Sequence, residues 1–103
     1  MTTIKSIDIQ TMRQWQASGE AILVDVREPA EHAEASIPGA VLIPMAQVNK
    51  AALTALGGNK WALHCRSGGR SRRVCEQLLA DDASLDVYNL EGGISAWQAM
   101  ANK

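Results

Sequence analysis

The sequence predicts an α/β fold: a small parallel β-sheet flanked by helices. Three short stretches read as strands: residues 21–26, with the near-continuous apolar pattern of a strand covered on both faces, residues 61–64, apolar enough for a buried strand, and residues 86–90. Between them lie longer segments whose apolar residues recur at helical spacing, such as Val74, Cys75, Leu78 and Leu79. Strands that alternate with helices imply parallel pairing through right-handed crossovers. At 103 residues, with no internal repeat or low-complexity tract, the chain reads as a single domain over residues 1–103.

Taken in order, Asp8 can cap a first helix running to about residue 17, with Ile9, Met12 and Trp15 on one face and Gly19 as its stop. Residues 21–26 follow as a strand, expected to be the central one. Asp25 and Arg27 flank its end, where open parallel sheets place their binding crevices. They are expected to pair with each other or with nearby backbone and brace the loops, rather than meet a substrate directly. Pro29 suits the first turn of a helix through residue 35, with Glu28, Glu31 and Glu34 beside its start and middle. His32 on that helix reads as a packing or surface residue rather than a proton donor. Residues 37–40, Ile-Pro-Gly-Ala, make a turn, and residues 41–43 a brief strand closed by Pro44. A helix over residues 47–56 carries Val48, Leu53 and Leu56 and stops at Gly57 and Gly58. The strand at 61–65 leads through a loop into a helix over 72–80, where Cys75 shares the apolar stripe and reads as a core cysteine. His64 and Cys65, adjacent on a strand, point to opposite faces, which argues against joint metal ligation. A last strand at 86–90 turns through Glu91-Gly92-Gly93 into a closing helix over 94–100, with Trp97 packed inward.

With no Phe in the chain, the core must be built of Ala, Val, Ile and Leu around Trp15, Trp61, Trp97 and Tyr88. A net charge of −1, and a basic cluster too local to track a phosphate backbone, set nucleic acid aside. Only Cys65 and Cys75 occur, so no disulfide framework is implied and a reducing compartment suits the chain. Residues 1–5 lack the apolar core of a secretory signal, and no apolar run approaches the ~18 residues of a membrane span. A cytoplasmic protein is expected.

The chemistry is concentrated at residues 65–71, CRSGGRS. Strand, glycine-bearing loop and helix in that order let backbone N–H groups converge on an anion at the strand's carboxyl end. Gly68 and Gly69 permit the backbone angles required. Arg66, Arg70, Arg72 and Arg73 lie close by, and no acid occurs between Glu34 and Glu76, so Cys65 is expected in a positive field that lowers its pKa from the free value near ~8.5. Arg66, Ser67, Gly68, Gly69, Arg70 and Ser71 are the candidate anion-binding residues, with Cys65 the nucleophile. Ser71 either adds a hydroxyl donor or caps the helix.

From residue 7 to residue 97 the chain resembles a single rhodanese, or sulfurtransferase, domain. CRSGGRS matches the family's six-residue active loop with Cys65 as the sulfur carrier. LVDVREP at 23–29, with IPGA at 37–40 and Ile43-Pro44, resembles its amino-terminal signature. Leu90-Glu91-Gly92-Gly93 with Ala96-Trp97 resembles its carboxyl-terminal one. The chain departs from the pattern at His32, where the family has an aromatic residue, and at Ala35-Ser36, where it has Gly-His. The resemblance implies a rhodanese-like fold and sulfur transfer through a Cys65 persulfide, from a small anionic donor such as thiosulfate to cyanide or a thiol, without cofactor or metal. It also implies two neighbouring readings: a persulfide relay to a protein sulfur acceptor, and an interaction module without chemistry. Cysteine phosphatases and arsenate reductases of the superfamily have five residues between Cys and Arg. Here four separate Cys65 from Arg70, and Ser71 stands where their arginine would be.

Overall fold

The computed structural model describes residues 4–101. Ten main elements alternate along it: β1 Ser6–Ile7, α1 Ile9–Ser18, β2 Ile22–Asp25, α2 Pro29–Glu34, β3 Val41–Leu42, α3 Lys50–Ala55, β4 Trp61–His64, α4 Gly69–Asp81, β5 Val87–Leu90 and α5 Gly93–Ala101. A single 3-10 turn, Met45–Gln47, precedes α3. The strands form one parallel sheet in the order β1-β5-β4-β2-β3. The parallel α/β prediction therefore holds. The central strand is β4 rather than β2, and all four of its residues are buried. Both runs are apolar enough for the middle of a sheet, and which one occupies it depends on pairing partners that composition does not encode.

Local chemistry accounts for most boundaries. Asp8 caps α1 by accepting the Thr11 N–H at 2.8 Å, and Gly19 ends that helix at φ +76°. Pro29 opens α2 inside a capping box, in which the Glu31 carboxylate accepts the backbone N–H of Glu28 at 3.0 Å. Two boundaries differ from the sequence expectation. Asn49 caps a shorter α3 by accepting the Ala52 N–H, and the residues before it form the 3-10 turn. Gly68, at φ +113°, lets α4 begin at Gly69, three residues earlier than predicted.

Alternate residues of each strand feed two cores, as the two-residue strand period requires. Val24, Val26, Leu63 and Val87 pack with Leu53, Val74, Cys75 and Leu78 on one face. Leu23, Ala62 and Leu90 pack with Ile9, Met12 and Ile94 on the other. Of the four aromatic residues expected inside, Trp61 is buried, while Trp15, Tyr88 and Trp97 lie partly buried at the rim. Trp15 and Tyr88 meet edge to face at 4.9 Å, with the Lys60 ammonium 4.6 Å from the Trp15 ring. Among the described residues no helix is long and apolar enough to cross a membrane.

Candidate active site

The neighbouring interior strands β2 and β4 run in register, Asp25 beside His64, so their carboxyl ends finish together. Cys65 follows immediately and is only 1% exposed. Its Sγ accepts the Gly68 N–H at 3.1 Å and lies 3.5 Å from the Ser71 hydroxyl. The start of α5 holds the loop from behind: the N–H groups of Ile94 and Ser95 donate to the carbonyls of Cys65 and Arg66, each at 3.0 Å. Those carbonyls are tied on the α5 side while loop N–H groups turn to the sulfur. The approach is so close that a Cβ on Gly93 would lie 2.4 Å from the Cys65 carbonyl oxygen.

Burial alone would raise the Cys65 pKa. It is overcome by the Ser71 hydroxyl and the N–H groups of Ser71, Gly68 and Ser67, which leave the thiol below its ordinary value. The lowered pKa expected from the sequence is present, but its leading causes are backbone and hydroxyl donors rather than arginines. The loop is also less cationic than its sequence. The Arg70 guanidinium forms a bidentate pair with Glu31 of α2, at 2.8 and 2.9 Å. This pairing raises the Arg70 pKa further and holds the Glu31 carboxyl down at about 2. Arg66 is exposed and forms no ion pair among the described residues. It lines a polar depression of about 260 Å³ with Arg27, Glu31, Glu34, Ser95 and Gln98.

Of the remaining loop residues, Ser67 and Gly69 are exposed, while Gly68 and Ser71 are buried. Ser71 does not cap α4, since Gly68 occupies that position. Its hydroxyl instead sits within a buried group, 2.5 Å from Asn89 Oδ1, 3.3 Å from the Gly68 carbonyl and 3.5 Å from Sγ. Asn89 Nδ2 donates to the same Gly68 carbonyl at 3.3 Å. Asn89, at the middle of β5, was not identifiable from sequence because nothing local marks a strand asparagine as reaching a loop 18 residues away.

Behind the loop lies a buried polar cluster. Asp25 accepts side-chain bonds from both Nε and Nη2 of the Arg27 guanidinium, and Nη2 also donates to the Ala35 carbonyl at 2.6 Å. The bracing role expected of Asp25 and Arg27 is what the geometry shows. His32 joins them through Nδ1, 2.8 Å from Asp25 Oδ2, tying α2 to β2. Burial works against the Asp25 carboxylate, but bonds from Arg27 and His32 prevail and hold its pKa down to about 2. His64 Nδ1 lies 3.0 Å from the Cys65 carbonyl, an acceptor, so the ring proton resides on Nδ1. Its Nε2 is buried without a partner, 4.0 Å from Asp25 Oδ2, and burial depresses the His64 pKa. Cys75 is fully buried on α4, and its thiol is pushed up to about 12 by burial. No group of three or more His, Cys, Asp or Glu is placed to hold a metal among the described residues.

A parallel α/β sheet that presents a buried cysteine at its strand ends, with Sγ accepting a backbone N–H from a glycine-bearing loop, defines a class of protein with a thiol held at the mouth of that loop. Residues 8–100 match the rhodanese-like domain, and the chain belongs to that family of sulfurtransferases. It is 36% identical over 95 residues to a sulfurtransferase of Allochromatium vinosum, covering 91% of this chain and 88% of that one. The crystal structure of a rhodanese-like domain protein from Staphylococcus aureus superposes with a TM-score of 0.75 at 33% identity, covering 91% of each chain. That of a thiosulfate sulfurtransferase from Pseudomonas aeruginosa gives a TM-score of 0.83 at 30% identity, covering 97% of this chain and 19% of the other.

Proposed function

We propose that this protein transfers a sulfane sulfur by a two-step exchange through a Cys65 persulfide. The Cys65 thiolate attacks the outer sulfur of thiosulfate or a similar donor; the donor's S–S bond breaks, and sulfite leaves with the bonding pair. Cyanide or a thiolate then takes the outer sulfur, giving thiocyanate or a new persulfide and returning the Cys65 thiolate. The acceptor thiol is a small molecule or a protein sulfur carrier. The observation that carries this reading is the sulfur itself: a buried cysteine whose Sγ accepts the Gly68 N–H, with the Ser71 hydroxyl beside it. The same donors serve each anionic form, thiolate and persulfide, without reorganisation.

In this scheme Arg66, the free cation at the depression, orients the donor's oxygens, and Ser67, Gly68, Gly69 and Ser71 form the cradle around the sulfur. Support for thiosulfate comes from the similarity to the thiosulfate sulfurtransferase of Pseudomonas aeruginosa. The test is the intact mass of the protein after exposure to thiosulfate. Gain of one sulfur atom that requires Cys65, is absent from Cys65→Ala, and is removed by cyanide is the expected result. No gain from thiosulfate or from a low-molecular-weight persulfide would overturn the proposal in favour of a binding module.

A further inference from the structure

The loop sequence offers two arginines to an anionic donor, yet the structure leaves one. Glu31 grips Arg70 through both carboxylate oxygens, in the fork-to-fork geometry that is strongest for this pair. Nor is Glu31 a loose surface side chain. Its Oε1 also accepts the Glu28 N–H in the α2 capping box. The helix that carries it is fastened to β2 by the His32–Asp25 bond and the Arg27 bond to Ala35. A negative charge is therefore fixed beside Arg66 at the depression, with Glu34 lining the same space. Charges cancel in pairs there, Asp25 against Arg27 and Glu31 against Arg70, which leaves Arg66 and Glu34 as the lining charges without an ion-pair partner among the described residues.

Resting on the sulfur-carrier reading of Cys65, we propose that Glu31 is a specificity-determining residue: by holding Arg70 it sets the charge of the donor the site accepts. The favoured class is sulfane-sulfur donors of low charge, such as monoanionic thiosulfonates, over dianions such as thiosulfate. The two donor types undergo the same exchange. Methanethiosulfonate gives its outer sulfur to the Cys65 thiolate and leaves as methanesulfinate, as thiosulfate leaves as sulfite. They differ by one unit of charge, and the electrostatic part of their approach scales with that charge.

Glu31→Gln isolates the effect, because glutamine keeps the capping hydrogen bond through Oε1 while removing the charge and the second bond to Arg70. The experiment measures kcat/KM for thiosulfate and for methanethiosulfonate in wild type and variant. A rise of about tenfold for thiosulfate and about threefold for methanethiosulfonate is expected, the logarithms standing two to one as the charges do. Adding salt should shrink both rises. Glu34→Gln, which lies outside the capping box and leaves Arg70 held, should give a smaller rise with the same two-to-one scaling. Equal changes for the two donors, or a fall with thiosulfate in Glu31→Gln, would overturn the proposal, since either means Glu31 only positions Arg70 or α2. Failure of both donors to sulfurate wild-type Cys65 would instead remove the sulfur-carrier reading and this inference with it.

Discussion

Replacing Gly93 by alanine tests whether α5 is what shapes the thiol site. The residue has φ +55°, where a Cβ costs roughly 1–2 kcal/mol. Its Cβ would stand 2.4 Å from the Cys65 carbonyl oxygen and 2.8 Å from the carbonyl carbon and oxygen of Arg66. Carbon–oxygen contacts settle at about 3.3–3.6 Å, so α5 and the loop must separate by roughly 0.9 Å. That is enough to break the two 3.0 Å bonds from Ile94 and Ser95, each contributing about 0.5–1.5 kcal/mol. A total loss of about 2–5 kcal/mol follows, a large part of a typical domain stability of about 5–15 kcal/mol. Gly19→Ala is the matched control, because φ is +76° there and no atom lies within 4 Å of the added carbon. Urea unfolding should place Gly93→Ala well below Gly19→Ala. The pH profile of Cys65 alkylation should also move up in Gly93→Ala alone, as the freed carbonyls let the N–H groups turn from the sulfur. Equal destabilisation by the two substitutions, with an unmoved alkylation profile, would refute the reasoning.

Three further outcomes follow from the same geometry. Ser71→Ala removes the hydroxyl that helps offset burial, so the Cys65 pKa read from iodoacetamide rates should rise, and by more than in Arg70→Gln. Asp25→Asn leaves the 5% exposed Arg27 guanidinium without its counter-charge and should cost about 3–5 kcal/mol in denaturant unfolding, far more than an exposed ion pair such as Lys5–Asp86. Stability against pH should show two acid steps. His64, facing Asp25, Arg27 and His32, has a depressed folded pKa, so the unfolded chain takes the proton first and stability declines as pH falls below about 6.5. Asp25, at about 2 when folded, adds stability that is complete above its unfolded value and is lost as pH falls toward 2. Melting temperatures at pH 7.5 and 5.5 check the first step: His64→Gln should abolish the difference, and a wild type with none contradicts it.

What could be read from sequence was what is encoded locally. Strands at Ile22–Asp25 and Trp61–His64 announce themselves as apolar runs, and the Asp8 cap and Pro29 start sit where their chemistry requires. The placement of Cys65 at the end of β4 was visible because a cysteine followed by a glycine-bearing loop at a strand end has few structural uses. β1 was not, because two residues at a sheet edge carry no periodicity, and its place is set by pairing Ser6 with Asn89 and Ile7 with Leu90. The early start of α4 depends on the left-handed turn at Gly68, which a Gly-Gly pair permits without dictating. Charge was misjudged for a similar reason. Counting acids along the chain finds none between Glu34 and Glu76, but the acid that matters to Arg70 lies 39 residues upstream and arrives through the fold.

That last difference changes how the loop works. Had arginines been the main support of the thiolate, donor binding would compete with Cys65 for the same positive charge, and high salt would weaken both. The sulfur instead draws on a hydroxyl and N–H groups whose orientation is held by α5 and β5. Those dipoles stay in place whether sulfur carries a thiolate or a persulfide, and short-range hydrogen bonds to a buried atom are little screened. The arginines are left to a separate task at the surface, where Arg66 is free and Arg70 is rationed by Glu31. On the proposed sulfur transfer, nucleophile activation and donor selection would thus reside in different parts of one short loop. On that scheme, substitutions on α2 should retune which donor is taken while Cys65 keeps its reactivity, whereas substitutions at Gly93, Ser71 or Asn89 should act on the sulfur for every donor alike.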